Sequence, residues 1–134
     1  MTAMLRQALF TLVTVAAMLA SGCSDDPPTI RMLKYSPNAA VQGMMATISG
    51  TVDYTDSDGD ISEGQYDLLA PSGALQTSSM TPLMDVTQGA LGNVDFSIVF
   101  TPDEVGLYYF DVWIIDLKGR ESNHLRGPIR VSAP

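Results

Sequence analysis

From Thr29 to Ser132 the apolar side chains recur mainly at every second position, and turn-forming residues interrupt them roughly every 8–15 residues. This period matches a strand with one face buried and excludes an amphipathic helix as the main building unit. The clearest stretch is Val94–Phe100, where Val94, Phe96, Ile98 and Phe100 alternate with Asp95, Ser97 and Val99. Met45–Tyr54 reads the same way, with Ile48, Gly50, Val52 and Tyr54 on one face. Further strands are predicted over Thr29–Tyr35, Gln65–Leu69, Gly106–Asp116 and Pro128–Ser132, and Ala74–Gly92 has room for one or two short edge strands. About seven strands and no helical segment predict an all-β, Greek-key immunoglobulin-like β-sandwich spanning residues 29–134.

In Gly106–Asp116 both alternate sets are apolar, so the buried face is decided by charge. Burying Tyr109, Trp113 and Ile115 would carry Asp111 inward with them, and an unpaired buried carboxylate costs several kcal/mol. The expected core face is therefore Tyr108, Phe110, Val112 and Ile114. Tyr108 then stands two residues after Gly106, where its hydroxyl can hold the preceding connection as a tyrosine corner.

The run Gly106-Leu-Tyr108-Tyr-Phe110-Asp-Val112-Trp-Ile114-Ile-Asp116-Leu-Lys-Gly119 resembles the penultimate strand of PKD-like and related bacterial immunoglobulin-like domains. The acidic stretch Val52-Asp-Tyr54-Thr-Asp56-Ser-Asp58-Gly59-Asp60-Ile61 is similar to the acidic turn of PKD-like and cadherin-like modules. The resemblance implies a fold far more specifically than a function. The tryptophan that PKD domains carry in their third strand is absent, with Tyr66 near that place.

The amino-terminal segment has a different character. Arg6 precedes an apolar run, Ala8–Ala20, of 13 residues, whereas a membrane-crossing helix needs about 20. The run ends in Leu19-Ala20-Ser21-Gly22-Cys23, and Cys23 is the only cysteine. This arrangement resembles a bacterial lipoprotein signal peptide. The resemblance implies cleavage after residue 22, covalent lipid on Cys23, and a short tether over 23–28. By the same resemblance, Ser24 after the cysteine implies an outer membrane rather than an inner one. Two or more acyl chains hold a protein stably at a bilayer, where one does so only marginally.

Residues 1–22 carry one charged side chain, Arg6, so the remaining 112 residues hold 15 acids against 6 bases. That balance excludes nucleic acid and direct adhesion to anionic lipid, both of which select basic surfaces. With Cys23 used as the anchor no disulfide is available, and stability must come from an apolar core. Met32, Met44, Met45, Met80 and Met84 are expected to fill gaps in it.

Two groups of residues stand out as candidate sites. Asp56, Asp58 and Asp60 alternate through one turn, and carboxylates so placed can converge on calcium, which takes six to eight oxygens at about 2.3–2.6 Å. Strands 45–54 and 106–116 end on the same side of such a sandwich, which brings Asp116 and Glu121 within reach of that turn. Two other readings stay open there: a solvated turn shaped by Gly59, and internal ion pairing with Lys118 or Arg120. The second group is Leu69, Tyr109, Trp113, Ile115 and Arg130 on the outer sheet face, an expected partner surface. The alternatives are cover from 74–92 or an Arg130 side chain stacked on Trp113. His124 lies in a polar loop with no organised partner in the sequence, and no nucleophile motif accompanies the serines.

These observations favour a non-enzymatic, lipid-anchored envelope module that binds a protein or a glycan, with no small-molecule substrate and no required cofactor. A calcium-stabilised adhesive or structural domain is the alternative. The tether would place the turns containing Asp56–Asp60 and Lys118–Arg126 toward the membrane.

Overall fold

Most strands contribute alternate side chains to one shared apolar layer, and the chain closes around it as two sheets. The computed structural model describes residues 26–83 and 89–134. The expected signal segment over 1–22, Cys23 and Met84 lie outside the described residues. The strands are β1 (Thr29–Ser36), β2 (Ala39–Val41), β3 (Ala46–Thr55), β4 (Ile61–Leu69), β5 (Leu75–Pro82), β6 (Leu91–Phe100), β7 (Gly106–Asp116) and β8 (Leu125–Ser132). One sheet has the order β1-β3-β6 and the other β2-β8-β7-β4-β5. All pairings are antiparallel except β2 with β8. The molecule is an all-β immunoglobulin-like sandwich, as the period-two pattern requires, with eight strands rather than about seven.

The core holds Ile48, Val52 and Tyr54 of β3, Val94, Ile98 and Phe100 of β6, and Tyr108, Phe110, Val112 and Ile114 of β7. The charge argument thus selects the correct face of β7. The tyrosine corner also forms: the Glu104 amide donates to the Tyr108 hydroxyl at 3.1 Å. The methionines are a correction, because Met32, Met44, Met45 and Met80 are all exposed. Branched and aromatic side chains already fill the layer.

Three glycines are explained by their cross-strand partners. Gly50 faces Phe96, Gly92 faces Tyr54, and Gly127 faces Phe110 in register. In each pair the aromatic ring lies over the glycine, so an added Cβ would meet ring atoms at 2.3, 2.8 and 2.5 Å respectively. The rings of Tyr35 and Phe96 close on Phe110 with centroids at 4.8 and 5.6 Å. Aromatic cover of this kind compensates for the packing a strand glycine lacks.

Two features fix the end of the sandwich at which β1 begins. Thr29 is paired with Thr55, the last residue of β3. Asn123, from the β7–β8 loop, brackets Ile30: its Oδ1 accepts the Ile30 amide at 2.8 Å and its Nδ2 donates to the Ile30 carbonyl at 2.9 Å. The β3–β4 turn, the β7–β8 turn and the start of β1 therefore share one end.

Candidate functional site

At that end, strands β3 and β7 run out into two turns of the same design. Asp56 follows β3 and Asp116 ends β7, and each is 2% exposed. In the first turn the Gly59 amide donates to the Asp56 carbonyl at 3.0 Å and the Asp60 amide to Asp56 Oδ2 at 2.9 Å. In the second the Gly119 amide donates to the Asp116 carbonyl at 3.0 Å and the Arg120 amide to Asp116 Oδ1 at 2.9 Å. Gly59 and Gly119 both have positive φ, +64° and +79°. Only glycine adopts that backbone at no steric cost, which is why each turn has it three residues after the aspartate.

The turns differ in how the second carboxylate oxygen is satisfied. Asp116 Oδ2 accepts the Arg120 Nε at 2.8 Å, and the Lys118 amide adds a bond to Oδ1 at 2.9 Å. Burial by itself would raise the Asp116 carboxyl. The hydrogen bonds and positive charge of Arg120, together with the Lys118 amide, hold it below the usual carboxylate range. In the first turn the residue after glycine is another acid, Asp60. Asp56 Oδ1 and Asp60 Oδ1 are buried without a hydrogen-bond partner. Burial, then the Asp56 carboxylate, toward which only a protonated Asp60 could donate, then the charges of Asp116 and Asp58, push the Asp60 carboxyl above its ordinary value.

One carboxylate oxygen from each of Asp56, Asp58 and Asp60 lies within 4.8 Å of the others. Arg120 spans the two turns, donating to Asp58 Oδ2 at 3.2 Å as well as to Asp116, and the Leu117 amide donates to the Asp60 carbonyl at 2.9 Å. The expected convergence of the two turns is present, and so is the internal ion pairing through Arg120. Two members of the expected ligand set are displaced from it. Asp116 has both oxygens occupied by its own turn, and Glu121 faces His124 at 3.6 Å. Arg120, which the sequence reading treats only as a competing ion-pair partner, organises the site. Its signal was the repeated spacing Asp56-x-x-Gly59-Asp60 and Asp116-x-x-Gly119-Arg120.

The second candidate group shares one sheet face without forming an exposed aromatic patch. Tyr109 is opposite Leu69, Ile115 opposite Glu63, and Arg130 opposite Leu107. Trp113 corrects the expectation: it is only 8% exposed, because the His124 ring stacks on it at 4.3 Å with the planes 2° apart. The charged neighbours are paired as well. Arg126 meets Asp111 through Nε at 2.9 Å and Nη2 at 3.2 Å, and lies 5.4 Å from the centre of the Tyr109 ring.

No protein-family model matches the chain, and no curated protein matches it. Among solved structures it is similar to a CARDB domain from Pyrococcus furiosus, solved in complex with di-metal ions. That likeness has a TM-score of 0.50 and 14% identity, and covers 81% of this chain and 96% of that one. It is also similar to the sporulation control protein Spo0M of Bacillus subtilis, at a TM-score of 0.51 and 16% identity over 81% of this chain and 51% of that one. A PKD domain of an M14-like peptidase from a Thermoplasmatales archaeon matches at a TM-score of 0.46 and 21% identity, over 79% of this chain and 96% of that one. The chain thus shares with these structures an immunoglobulin-like β-sandwich fold.

Proposed function

We propose that this protein is a lipid-anchored lipoprotein of the bacterial cell envelope, whose immunoglobulin-like domain binds a protein or glycan or serves a structural role there, and catalyses no reaction. The observation that carries the reading is Cys23, the sole cysteine, placed after an apolar run too short to span a bilayer. The double hydrogen bond from Asn123 to Ile30 supports it, since it fastens the first strand only a few residues beyond that cysteine. The resemblance to lipoproteins, with Ser24 after the cysteine, supports an outer-membrane location, and the acidic composition directs the choice of partner toward protein or glycan rather than nucleic acid. The intact mass of protein extracted from membranes is the test. A chain beginning at a triacylated Cys23 is expected, and a free thiol at that position would overturn the anchoring. Crosslinking in cells then identifies the partner.

A second reading, a calcium-stabilised structural or adhesive domain, is favoured by Asp56, whose buried Oδ1 has no hydrogen-bond partner. The CARDB domain of Pyrococcus furiosus, with its di-metal ions, indicates that this fold is compatible with bound metal.

A further inference from the structure

We infer that the β3–β4 turn holds one calcium ion through the carboxylates of Asp56, Asp58 and Asp60, in the position relative to Asp56 that the Arg120 guanidinium occupies relative to Asp116. The inference rests on the calcium-stabilised reading and narrows it to three side chains and one charge equivalence. The molecule contains its own control. Both turns bury an aspartate to the same extent, both close with a glycine amide on the aspartate carbonyl, and both direct the following amide to one carboxylate oxygen. In the β7–β8 turn the next side chain is Arg120, and the remaining oxygen receives its Nε at 2.8 Å. In the β3–β4 turn the equivalent side chain is Asp60, which supplies no donor when ionised and adds a further negative charge.

A buried carboxylate oxygen without a partner costs free energy, and clustering a second one beside it costs more. A hard divalent cation removes both costs together. Asp58 is the third arm: one of its carboxylate oxygens lies within 4.8 Å of those of Asp56 and Asp60, and Arg120 holds its Oδ2 at 3.2 Å from the other side. Asp116 and Glu121 are excluded, one by Arg120 and Lys118 and the other by its place beside His124. Three protein carboxylates on an irregular turn, completed by water, suit calcium with its six to eight flexible ligands better than magnesium. Magnesium demands near-ideal octahedral geometry at about 2.0–2.1 Å.

The test is thermal unfolding of the full, detergent-solubilised protein, in chelator and then with calcium or magnesium added at 1 mM. The wild type is expected to melt about 4 °C or more higher in calcium, with a smaller response to magnesium. D58N, at an exposed position, is expected to bind calcium at least tenfold more weakly, and E121Q to bind it as wild type does. Asp60→Arg is expected to melt in chelator as the wild type does in calcium and to lose the calcium response, because it copies the Asp116–Arg120 arrangement. An unchanged melting point of the wild type in calcium overturns both this inference and the calcium reading. A calcium response that persists in both D58N and Asp60→Arg overturns the site assignment alone. Equal responses to calcium and magnesium overturn the choice of ion, and loss of binding in E121Q overturns the three-residue ligand set.

Discussion

Gly127 is the position at which one methyl group should matter most. It lies on β8 directly opposite Phe110, whose side chain is fully buried. A Cβ there would stand 2.5 and 2.6 Å from two atoms of the Phe110 ring and 2.9 Å from Tyr35. Ordinary contact begins near 3.4 Å, so the ring must move by about 1 Å. It has nowhere unoccupied to go, because Tyr35 and Phe96 pack on it with centroids at 4.8 and 5.6 Å. Overpacking of this kind costs about 1–3 kcal/mol, and disturbing two aromatic pairs adds about 0.5–1.5 kcal/mol for each. Against this, replacing glycine by alanine restricts the unfolded chain and returns about 0.4–1 kcal/mol. The net expectation for Gly127→Ala is a loss of about 1–5 kcal/mol, centred near 3 kcal/mol, or a fall in melting temperature of roughly 10 °C or more at the centre of that range. Urea unfolding should show a lower midpoint with an unchanged slope. Combining Gly127→Ala with Phe110→Leu should cost less than the sum of the two single changes, since the smaller side chain vacates the space the methyl needs. A Gly127→Ala protein as stable as wild type, or additive losses in the double variant, would refute the account of glycine and ring as one packing unit.

Two further predictions concern the ends of the sandwich. Tyr108→Phe keeps the buried ring and removes the acceptor of the Glu104 amide and a 3.4 Å contact to Asp103; it should cost about 1 kcal/mol in urea unfolding, and no loss would mean that the corner does not stabilise the fold. Asp116 has a depressed folded-state pKa, so its contribution is present above its unfolded value of about 3.9 and disappears as pH falls through the folded value. Asp116→Asn should therefore lower stability at pH 7 and flatten its decline in acid, and an unaltered acid limb of the stability curve would contradict the proposed pairing with Arg120.

How much of this was legible in the sequence depended on whether the decisive contact was local. Alternation in Val94–Phe100 identifies the inward residues of β6 correctly, because the side-chain period of a strand is fixed by its backbone. β7 was resolved by a single charge, Asp111. The short β2 was missed because three residues carry no period, and β5 lies where 74–92 was expected to hold an edge strand, though its weak alternation left its bounds open. β8 begins before Pro128, which looked like a boundary. The proline is tolerated because β2 reaches only Arg130–Ser132, leaving β8 a neighbour on one side at that point. β4 likewise begins at Ile61, four residues before the expected Gln65. At the acidic turn, spacing alone placed Asp56, Asp58 and Asp60 together. That Asp116 belongs to Arg120, that Glu121 lies beside His124, and that His124 covers Trp113 depend on the path of the β7–β8 loop, for which the local sequence holds no pattern.

The bracket that Asn123 forms around Ile30 has a mechanical consequence. β1 is an edge strand of the three-stranded sheet, and an edge strand pulled sideways detaches one rung at a time. Traction entering at Pro28 along the strand instead loads the β1–β3 ladder in shear, where its rungs resist together. The amide of Asn123 sits at the first point of that load and belongs to the loop joining β7 to β8. Force drawn through the first strand therefore divides at once between the two sheets, and the domain meets it as one body.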